Sequence, residues 1–351
     1  MRICYFGLFD PEYERNRVLI SGLRQNGVEV VVCTGHGKGI HAYWRLLKSW
    51  WATHIRYNLV IVGYSDTRFS VILARILFRC PLVWDAFYSL YDSYVFDRKL
   101  VAPSSIKAGY YWLIDFLCCK IASRILLDTS VHVEYFRKTF YVNKQKLICS
   151  LVGASPDIFR SLLLTAPHHG FRILFFGNFT PLQGIAFILR AAKLLEHAKE
   201  VRFDIIGSGQ TYNDMCLLAE KLQVPNVLFH ERKPIHELVR AIADADVCLG
   251  IFGETGKTQR VIPNKVYEAI AMKKPVLTAD TPAIRELFID HENILLCRVA
   301  DPEDLAKKIN LLINNRTLRE HIAVGGFEAY QANCTPAIIG SKLLDVLKRA
   351  I

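Results

Sequence analysis

Short apolar runs alternate with helix-length segments along almost the whole chain, and this alternation restricts the fold more than any other feature of the sequence. The runs are too short for core helices and are typical of buried strands. Strands that alternate with helices build βαβ units, and such units form parallel sheets. The predicted strands are residues 3–6, 28–33, 59–62, 82–84, 125–127, 147–151, 173–176, 203–206, 227–229, 247–251, 276–278 and 294–296.

One interruption divides this series into two halves. Residues 155–170, SPDIFRSLLLTAPHHG, replace the alternation with Pro, His and Gly, which is typical of a linker. A chain of 351 residues is long enough for two domains. We therefore expect an α/β fold with one Rossmann-like parallel-sheet domain in residues 1–163 and a second in residues 164–335. Ligands of open parallel sheets bind at the carboxyl edge, so we expect the two edges to face each other across a cleft.

Composition excludes several classes of protein. An apolar fraction of 52% excludes broad disorder. The ten cysteines form no CxxC pair and no metal-ligand spacing, so we interpret them as reduced core thiols of a cytosolic protein. The chain starts directly with a strand-like run and without a hydrophobic signal core. Residues 106–127 are the most apolar segment, but charged residues interrupt them, which favours a buried helix and strand over a membrane span.

Most of the net positive charge lies in the first half. Of the 44 Lys and Arg and the 33 Asp and Glu, residues 1–160 hold 21 and 12, so this half carries nine of the eleven net positive charges. The imbalance predicts an acidic partner for the first domain. Nucleic acid is not the expected partner, because no recognition motif accompanies the charge.

A tryptophan-rich segment belongs to the same basic half. Helical spacing puts Trp44 and Trp51 on one face of a predicted helix, with Trp50 beside them and Arg45 and Lys48 opposite. Such a stripe is typical of core packing, and it equally suits an interfacial patch for an anionic membrane.

Residues 249–282, LGIFGETGKTQRVIPNKVYEAIAMKKPVLTADTP, have the pattern of an anion site. An apolar run leads into a basic glycine loop, and Pro263 marks the first turn of the helix that follows. Backbone N–H groups and the helix dipole favour phosphate there, and a carboxylate one turn into the helix can accept hydrogen bonds from a sugar hydroxyl. The segment therefore predicts a nucleotide-sugar site, although a solvated ion pair is the ordinary interpretation of a Lys and a Glu at this spacing. The candidate residues are Phe252, Gly253, Lys257, Arg260, Lys265 and Glu268.

Glycines at the ends of two other predicted strands allow a ligand to approach the backbone closely. The run RILFFGNF contains Gly177, and FDIIGSG contains Gly207 and Gly209. Structural turns explain these glycines equally well. The second run lacks the third glycine of a dinucleotide fingerprint.

Three further motifs have competing interpretations. GETGKT at 253–258 imitates a P-loop, but Ile251 stands where the first glycine is required. Asp244-Ala-Asp246 spells the DxD of metal-binding sugar transferases, but a helix-end turn explains it better, so no metal site is expected. Asp85 follows a predicted strand, where a carboxylate suits acceptor binding or proton transfer as well as a polar loop.

The second half resembles the nucleotide-sugar domain of retaining glycosyltransferase family 4, also called glycosyl transferases group 1, which has a GT-B fold. The resemblance covers most of residues 171–290 through RILFFGNFTPLQGIAFILRAAKLL, FDIIGSGQ, PNVLFHE, DADVCLGIF and VIPNKVYEAIAMKKPVLTADTPAIREL. The first half resembles the family in layout and in LLDTSVHVEYF and GASPDIF. The resemblance implies that a sugar passes from a nucleoside diphosphate on the second domain to an acceptor on the first, with retention of configuration. It also implies that the last helix, within residues 336–351, packs back on the first domain.

The resemblance also assigns roles to residues. Glu268 matches the glutamate that binds the donor ribose, and Lys265 matches the phosphate-binding lysine of the branch with a PxK-x-x-E arrangement. Arg260 stands where the family has a second glutamate, and Asn178 and Gln183 stand where it has an Arg and a Lys. We expect Lys257, Arg260 and Lys265 to replace those basic groups, and Asp85 to orient the acceptor.

These assignments predict a metal-independent glycosyltransferase with no cofactor besides its nucleotide-sugar donor. The expected acceptor is a glycan or a lipid-linked glycan of polysaccharide biosynthesis, and the expected location is the cytoplasm, with peripheral attachment to the inner face of the membrane. Two alternatives remain open. One is a nucleotide-sugar epimerase of the same fold, and the other is a non-catalytic partner subunit, which the loss of the family's Arg, Lys and first Glu suggests.

Overall fold

The computed structural model describes residues 1–35, 39–53, 56–162, 169–198 and 200–349. The chain divides into two compact units. The first comprises Met1–Ser155 and the C-terminal segment from Asn333, and the second comprises Pro156–Ala332. The domain boundary that we predicted between residues 163 and 164 lies outside the described residues.

The first unit contains a parallel sheet of six strands in the order β2-β1-β3-β4-β5-β6. The strands are β1 (Arg2–Gly7), β2 (Glu29–Thr34), β3 (Leu59–Val62), β4 (Leu82–Phe87), β5 (Arg124–Leu127) and β6 (Leu147–Cys149). The helices are α1 (Glu14–Gln25), α2 (Ile40–Ala52), α3 (Phe69–Leu77), α4 (Ile106–Ile121), α5 (Ser130–Thr139) and, from the end of the chain, α12 (Pro336–Lys348).

The second unit contains another parallel six-stranded sheet, in the order β12-β11-β10-β7-β8-β9. The strands are β7 (Phe171–Asn178), β8 (Val201–Ser208), β9 (Val227–His230), β10 (Val247–Leu249), β11 (Val276–Ala279) and β12 (Leu295–Cys297). The helices are α6 (Ile185–Leu194), α7 (Tyr212–Leu222), α8 (Ile235–Asp244), α9 (Asn264–Ala271), α10 (Pro302–Asn314) and α11 (Arg316–Asn333).

The predicted α/β fold class is confirmed, because every predicted strand overlaps a strand of one of two parallel sheets. The largest extensions are in β7 and β8, which run past their apolar cores because they pair with each other as far as Asn178 and Ser208. The apolar segment 106–127 forms a helix and a strand, and its Asp115 is buried against Arg68. The described helices all lack either the length or the apolar content of a bilayer-spanning segment. All ten cysteines are free thiols.

Helices cover both faces of the first sheet. One apolar core joins the sheet to α1 and α12, and the other joins it to α2, α3, α4 and α5. The C-terminal helix approaches α1 very closely, since a Cβ on Gly340 would lie 2.2 Å from the Gly22 backbone. Asn26 Nδ2 also donates to the carbonyl of Ala337 at 2.8 Å. The C-terminal helix is thus held in the first unit by backbone packing that a larger residue would prevent.

The second sheet reverses its strand order beside β7. The chain runs outward from β7 to β8 and β9, and it then returns to β10 on the other side of β7. The crevice beyond the carboxyl ends of β7 and β10 is therefore a topological switch point, where ligands of open α/β sheets bind.

Candidate functional site

Two glycines line the switch point at neighbouring strand ends. Gly177 of β7 and Gly207 of β8 are paired in register, with φ values of +143° and +148°. Residues other than glycine rarely adopt such backbone angles. A Cβ on Gly207 would also lie 1.9 Å from the carbonyl oxygen of Gly177. These positions require glycine, and they leave the backbone of this edge open to a ligand.

Lys265 reaches the same edge from the first turn of α9. Pro263 precedes that helix as its N-cap residue, a position where its missing N–H costs nothing. The Lys265 ammonium donates to Gln183 Oε1 at 2.6 Å and lies 3.6 Å from the centre of the Phe175 ring. A Cβ on Gly177 would be only 3.1 Å from Lys265 Nζ. The structure therefore brings together the predicted residues Lys265 and Gly177.

The electrostatic state of Lys265 is unusual. Its side chain is only 6% exposed. Burial lowers the pKa of Lys265 well below its ordinary value, and the nearby carboxylate of Glu268 partly opposes this shift. Burial disfavours the ammonium form because a charge loses its hydration in a low-dielectric environment. An anion beside Nζ would restore the lost stabilisation, so the site is suited to a negatively charged ligand.

The loop after β10 packs against the short turn Pro181–Gln183. The N–H of Phe252 donates to the carbonyl of Gln183 at 3.1 Å, and the N–H of Gly253 donates to the carbonyl of Leu182 at 3.2 Å. A Cβ on Gly253 would lie 2.4 Å from the Pro181 carbonyl oxygen. Phe252 and Gly253, which we predicted to contact the donor, use these N–H groups to hold the turn that carries Gln183.

The remaining predicted donor residues lie on the same side of the second sheet. Lys257 and Arg260 are half-buried on the loop between β10 and α9. The Arg260 guanidinium lies against Gly256, where a Cβ would be 3.1 Å from Nη1. Glu268 is half-buried one turn after Lys265 on α9. Gly209 follows β8 with φ +146° and packs closely on the backbone of Phe179.

Two contacts at this edge were not predicted. Arg232, in the loop after β9, donates from Nη2 to Asn178 Oδ1 at 2.6 Å. A guanidinium from elsewhere in the chain thus lies beside a position where the family has an arginine of its own. In the same way, Gln183 holds the Lys265 ammonium at a position where the family has a lysine. Sequence spacing gives no signal for either contact, because the partners are 54 and 82 residues apart.

Asp85 is placed differently from our prediction. It lies within β4 and is fully buried. Both of its oxygens accept from Arg15 Nε, at 2.8 and 2.9 Å, and Arg15 Nη2 is 2.7 Å from Oδ1. The Arg15 guanidinium also donates to the carbonyl of Ser150 and lies over the Phe87 ring. The Arg15 guanidinium therefore ties α1 to β4 and to Ser150, which follows β6, and the Asp85 carboxylate exposes no oxygen to an acceptor.

The Asp244-Ala-Asp246 motif is part of the sheet framework. The N–H of Arg172 donates to Asp246 Oδ2 at 2.8 Å, and Arg172 Nη1 lies 3.7 Å from Asp244 Oδ2. These contacts are at the amino end of β7, opposite the glycine-lined edge. Within the described ranges, no group of three or more His, Cys, Asp or Glu side chains has a metal-binding arrangement.

The tryptophans of α2 divide between surface and core. Trp44 and Trp51 are exposed, whereas Trp50 packs against Phe78 in the core of the first unit. Arg45 and Lys48 are exposed on the same side of α2 as Trp44 and Trp51. The prediction that the basic residues lie opposite the tryptophans was therefore wrong, because the core contacts of α2 are made by Ala42 and Leu46.

Comparisons with known proteins are consistent with this geometry. Residues 164–328 match the family model described as glycosyl transferases group 1. The chain is 25% identical over 226 residues to an uncharacterized glycosyltransferase of Methanocaldococcus jannaschii, a stretch that covers 58% of this chain and 60% of that protein. It is 33% identical over 138 residues to WbjE, a probable glycosyltransferase of Pseudomonas aeruginosa, which covers 39% of this chain and 34% of that protein. The chain thus spans less than two thirds of either relative.

Solved structures share the fold over nearly the full chain. HepE of Anabaena, determined in complex with UDP and glucose, superposes with a TM-score of 0.73 at 15% identity, over 99% of this chain and 100% of that one. Sucrose-phosphate synthase of Thermosynechococcus elongatus superposes with a TM-score of 0.77 at 14% identity, over 99% of this chain and 98% of that one. The expected GT-B fold class is confirmed by these likenesses.

Proposed function

We propose that this chain, whose residues 164–328 match the glycosyl transferases group 1 family model, is a glycosyltransferase that uses a nucleoside diphosphate sugar as donor. The observation that carries the proposal is the buried Lys265 ammonium beside Gly177 at the switch point of the second sheet. Its lowered pKa indicates a cation without sufficient compensation, and a diphosphate supplies the missing negative charge. The complexes of HepE with UDP and with UDP-glucose support a donor of this class.

In the proposed mechanism, protein cations stabilise the charge that develops on the leaving diphosphate. Lys265 contributes from α9, Arg260 and Lys257 from the preceding loop, and Arg232 from the loop after β9. Preorganised charge in a water-poor site is the strongest form of such stabilisation. The proposal assigns this role to side chains and not to a metal ion. Departure of the diphosphate on the side from which the acceptor attacks would retain the configuration of the sugar.

Glu268 and the glycines at the strand ends are proposed to orient the donor. Glu268 is proposed to accept hydrogen bonds from the ribose hydroxyls, because it lies one turn from Lys265. Gly177, Gly207 and Gly209 let the nucleotide approach the strand ends. Gly253 and Phe252 are proposed to act indirectly, since they hold the turn that carries Gln183 and therefore the position of Lys265.

The first unit is proposed to bind the acceptor, a glycan or a lipid-linked glycan at the cytoplasmic face of a membrane. Asp85 acts in this proposal as a positioning residue, because Arg15 occupies both of its oxygens. It sets the relative position of α1 and β4, whose ends border the carboxyl edge of the first sheet. The basic charge and the exposed Trp44 and Trp51 support a location at an anionic surface.

Two measurements test the proposed function. A thermal-shift screen against UDP, GDP and dTDP sugars identifies the donor, since a ligand at a hundred times its Kd adds about 2.7 kcal/mol of stability. Release of nucleoside diphosphate is then measured with and without glycan and lipid-linked acceptors. Lys265→Ala and Glu268→Ala should abolish release and leave the fold intact, while Lys221→Ala on the exposed face of α7 should have no effect.

The outcomes separate the alternatives. Release of diphosphate that depends on an acceptor supports the transferase. Conversion of the donor sugar without any release would identify an epimerase, and donor binding without turnover would identify a non-catalytic subunit. Full activity in both variants would overturn the assignment of this site.

A further inference from the structure

We infer that α2, α3 and α4 together form a membrane-binding face of the first unit, and that the ligand of this face is an anionic lipid bilayer. We call this surface the three-helix face. The inference rests on the proposed membrane location of the acceptor. It extends the tryptophan patch of α2 to two further helices.

The three helices cover the same side of the first sheet. Leu46 of α2, Val71 of α3 and Cys118 of α4 are buried in one core with the sheet. Tyr43 of α2 packs edge-to-face on Phe69 of α3, with ring centres 5.2 Å apart. Since all three helices turn their inner residues to this core, their outer residues share the outer surface of the unit.

Each helix carries an exposed apolar stripe at helical spacing. On α4 the stripe repeats every three or four residues, and Ile106 at its start is 96% exposed. Ile76 on α3 and Trp51 on α2 are each 74% exposed. Exposed large apolar residues that are grouped on one face of a protein are typical of interaction sites. The stripes are Ile40, Trp44 and Trp51 on α2, Phe69 and Ile76 on α3, and Ile106, Tyr110, Leu113 and Leu117 on α4.

The exposed charges on the three-helix face are basic, and they indicate an anionic partner. Exposed basic side chains flank every stripe, namely Arg45, Lys48, Arg75, Arg79, Lys107 and Lys120. The acidic residue within the three helices, Asp115, is fully buried and paired with Arg68. Asp66 precedes α3 and accepts from the Tyr88 hydroxyl. Apolar and aromatic residues surrounded by Lys and Arg are typical of helices that lie in the interface of an anionic bilayer.

A second copy of the chain fits this face less well. A symmetric dimer would place the same surface on both sides of the interface. Its basic side chains would then meet basic side chains, and like charges across an interface destabilise a complex. An anionic lipid surface covers the same apolar residues and neutralises the same charges.

The test is sedimentation of the full chain with vesicles. Vesicles of phosphatidylcholine mixed with phosphatidylglycerol should bind the chain, and vesicles of phosphatidylcholine alone should bind it far more weakly. Lys48→Gln or Lys107→Gln should each reduce the partition coefficient roughly fivefold, because one basic residue near such a surface contributes about that factor. Higher salt should also weaken binding.

Apolar substitutions test the extent of the face. Trp51→Ser, Ile76→Ser and Ile106→Ser change one residue on each helix, and each should weaken vesicle binding. Leu217→Ser is the matched control, because Leu217 is 63% exposed on α7 of the second unit. Nucleotide-sugar binding, measured by thermal shift in the same variants, should be unchanged, so that loss of vesicle binding is separated from loss of the fold or of the donor site.

Three results would overturn the inference. Equal binding to neutral and anionic vesicles would remove its electrostatic basis. An effect of Trp51→Ser without effects of Ile76→Ser and Ile106→Ser would confine binding to α2. A dimer in solution that the three substitutions dissociate would identify the partner as a second copy.

Discussion

Lys265 is a side chain whose removal should affect stability and donor binding in separate ways. Its ammonium contacts Gln183 Oε1 and the Phe175 ring inside the second unit. The side chain is buried and its pKa is lowered, so the folded protein without a bound anion disfavours the charged form of this residue. We consider Lys265→Met, which retains most of the side-chain volume, and the double variant Gln183→Leu/Lys265→Met.

The magnitudes follow from the contacts. A hydrogen bond to a charged group contributes about 1.5–3 kcal/mol, so both variants should bind the nucleoside diphosphate roughly ten- to 150-fold more weakly. The single variant leaves Gln183 Oε1 without its Lys265 donor, which costs about 1–3 kcal/mol against the gain from removing a buried charge. The double variant removes both partners, and replacement of both by apolar groups is close to neutral or stabilising.

Isothermal titration calorimetry gives the affinity, and urea denaturation gives the free energy of unfolding. We expect the double variant to be at least as stable as the wild type and to bind the nucleoside diphosphate weakly. A double variant that loses several kcal/mol of stability and keeps its affinity would refute this reasoning, because Lys265 would then be a structural residue. Wild-type affinity should also fall as the pH rises through the lowered pKa of Lys265, since the neutral amine does not attract the diphosphate.

Three further predictions concern other residues. Glu268→Gln should weaken donor binding about tenfold in calorimetry through loss of a charge-assisted hydrogen bond, whereas Glu254→Gln, on the exposed part of the preceding loop, should not. Arg232→Ala should lower the rate of diphosphate release by about tenfold or more with little change in unfolding free energy; the exposed Arg240→Ala is its control, and equal rates in the two variants would remove Arg232 from the site. Asp85→Asn should cost about 3–5 kcal/mol in urea denaturation because it leaves Arg15 buried without its counter-charge, while Glu134→Gln, in a solvent-exposed pair with Arg137, should leave the free energy of unfolding almost unchanged.

Much of the architecture was predictable from periodicity. Buried parallel strands are short continuous apolar runs, so each strand of both sheets could be recognised locally. The position of the glycine-lined edge of the second sheet was also predictable from the sequence, because Gly177 and Gly207 end such apolar runs. Periodicity did not reveal which side of α2 is buried, and the prediction for Arg45 and Lys48 was wrong for that reason.

The sequence predicted which residues lie near the glycine-lined edge of the second sheet, but it did not predict their contacts. Lys265 and Glu268 were predicted from a local motif, since a proline at the start of a helix fixes both on its first turns. Asp85 was predicted to orient the acceptor, because the sequence does not reveal that Arg15, 70 residues away, occupies both of its oxygens.

The sequence by itself determined two α/β units and a lysine and a glutamate on one helix beside a glycine-rich edge, because these depend on short-range spacing. Tertiary structure alone decided that Gln183 holds Lys265, that Arg232 reaches Asn178, and that the outer stripes of α2, α3 and α4 share one surface. The physical reason is that a parallel sheet brings strand ends and covering helices together from distant parts of the chain. Loop conformation and side-chain packing then determine which side chains are in contact. Neither of them produces a periodic pattern in the sequence from which the contacts could be predicted.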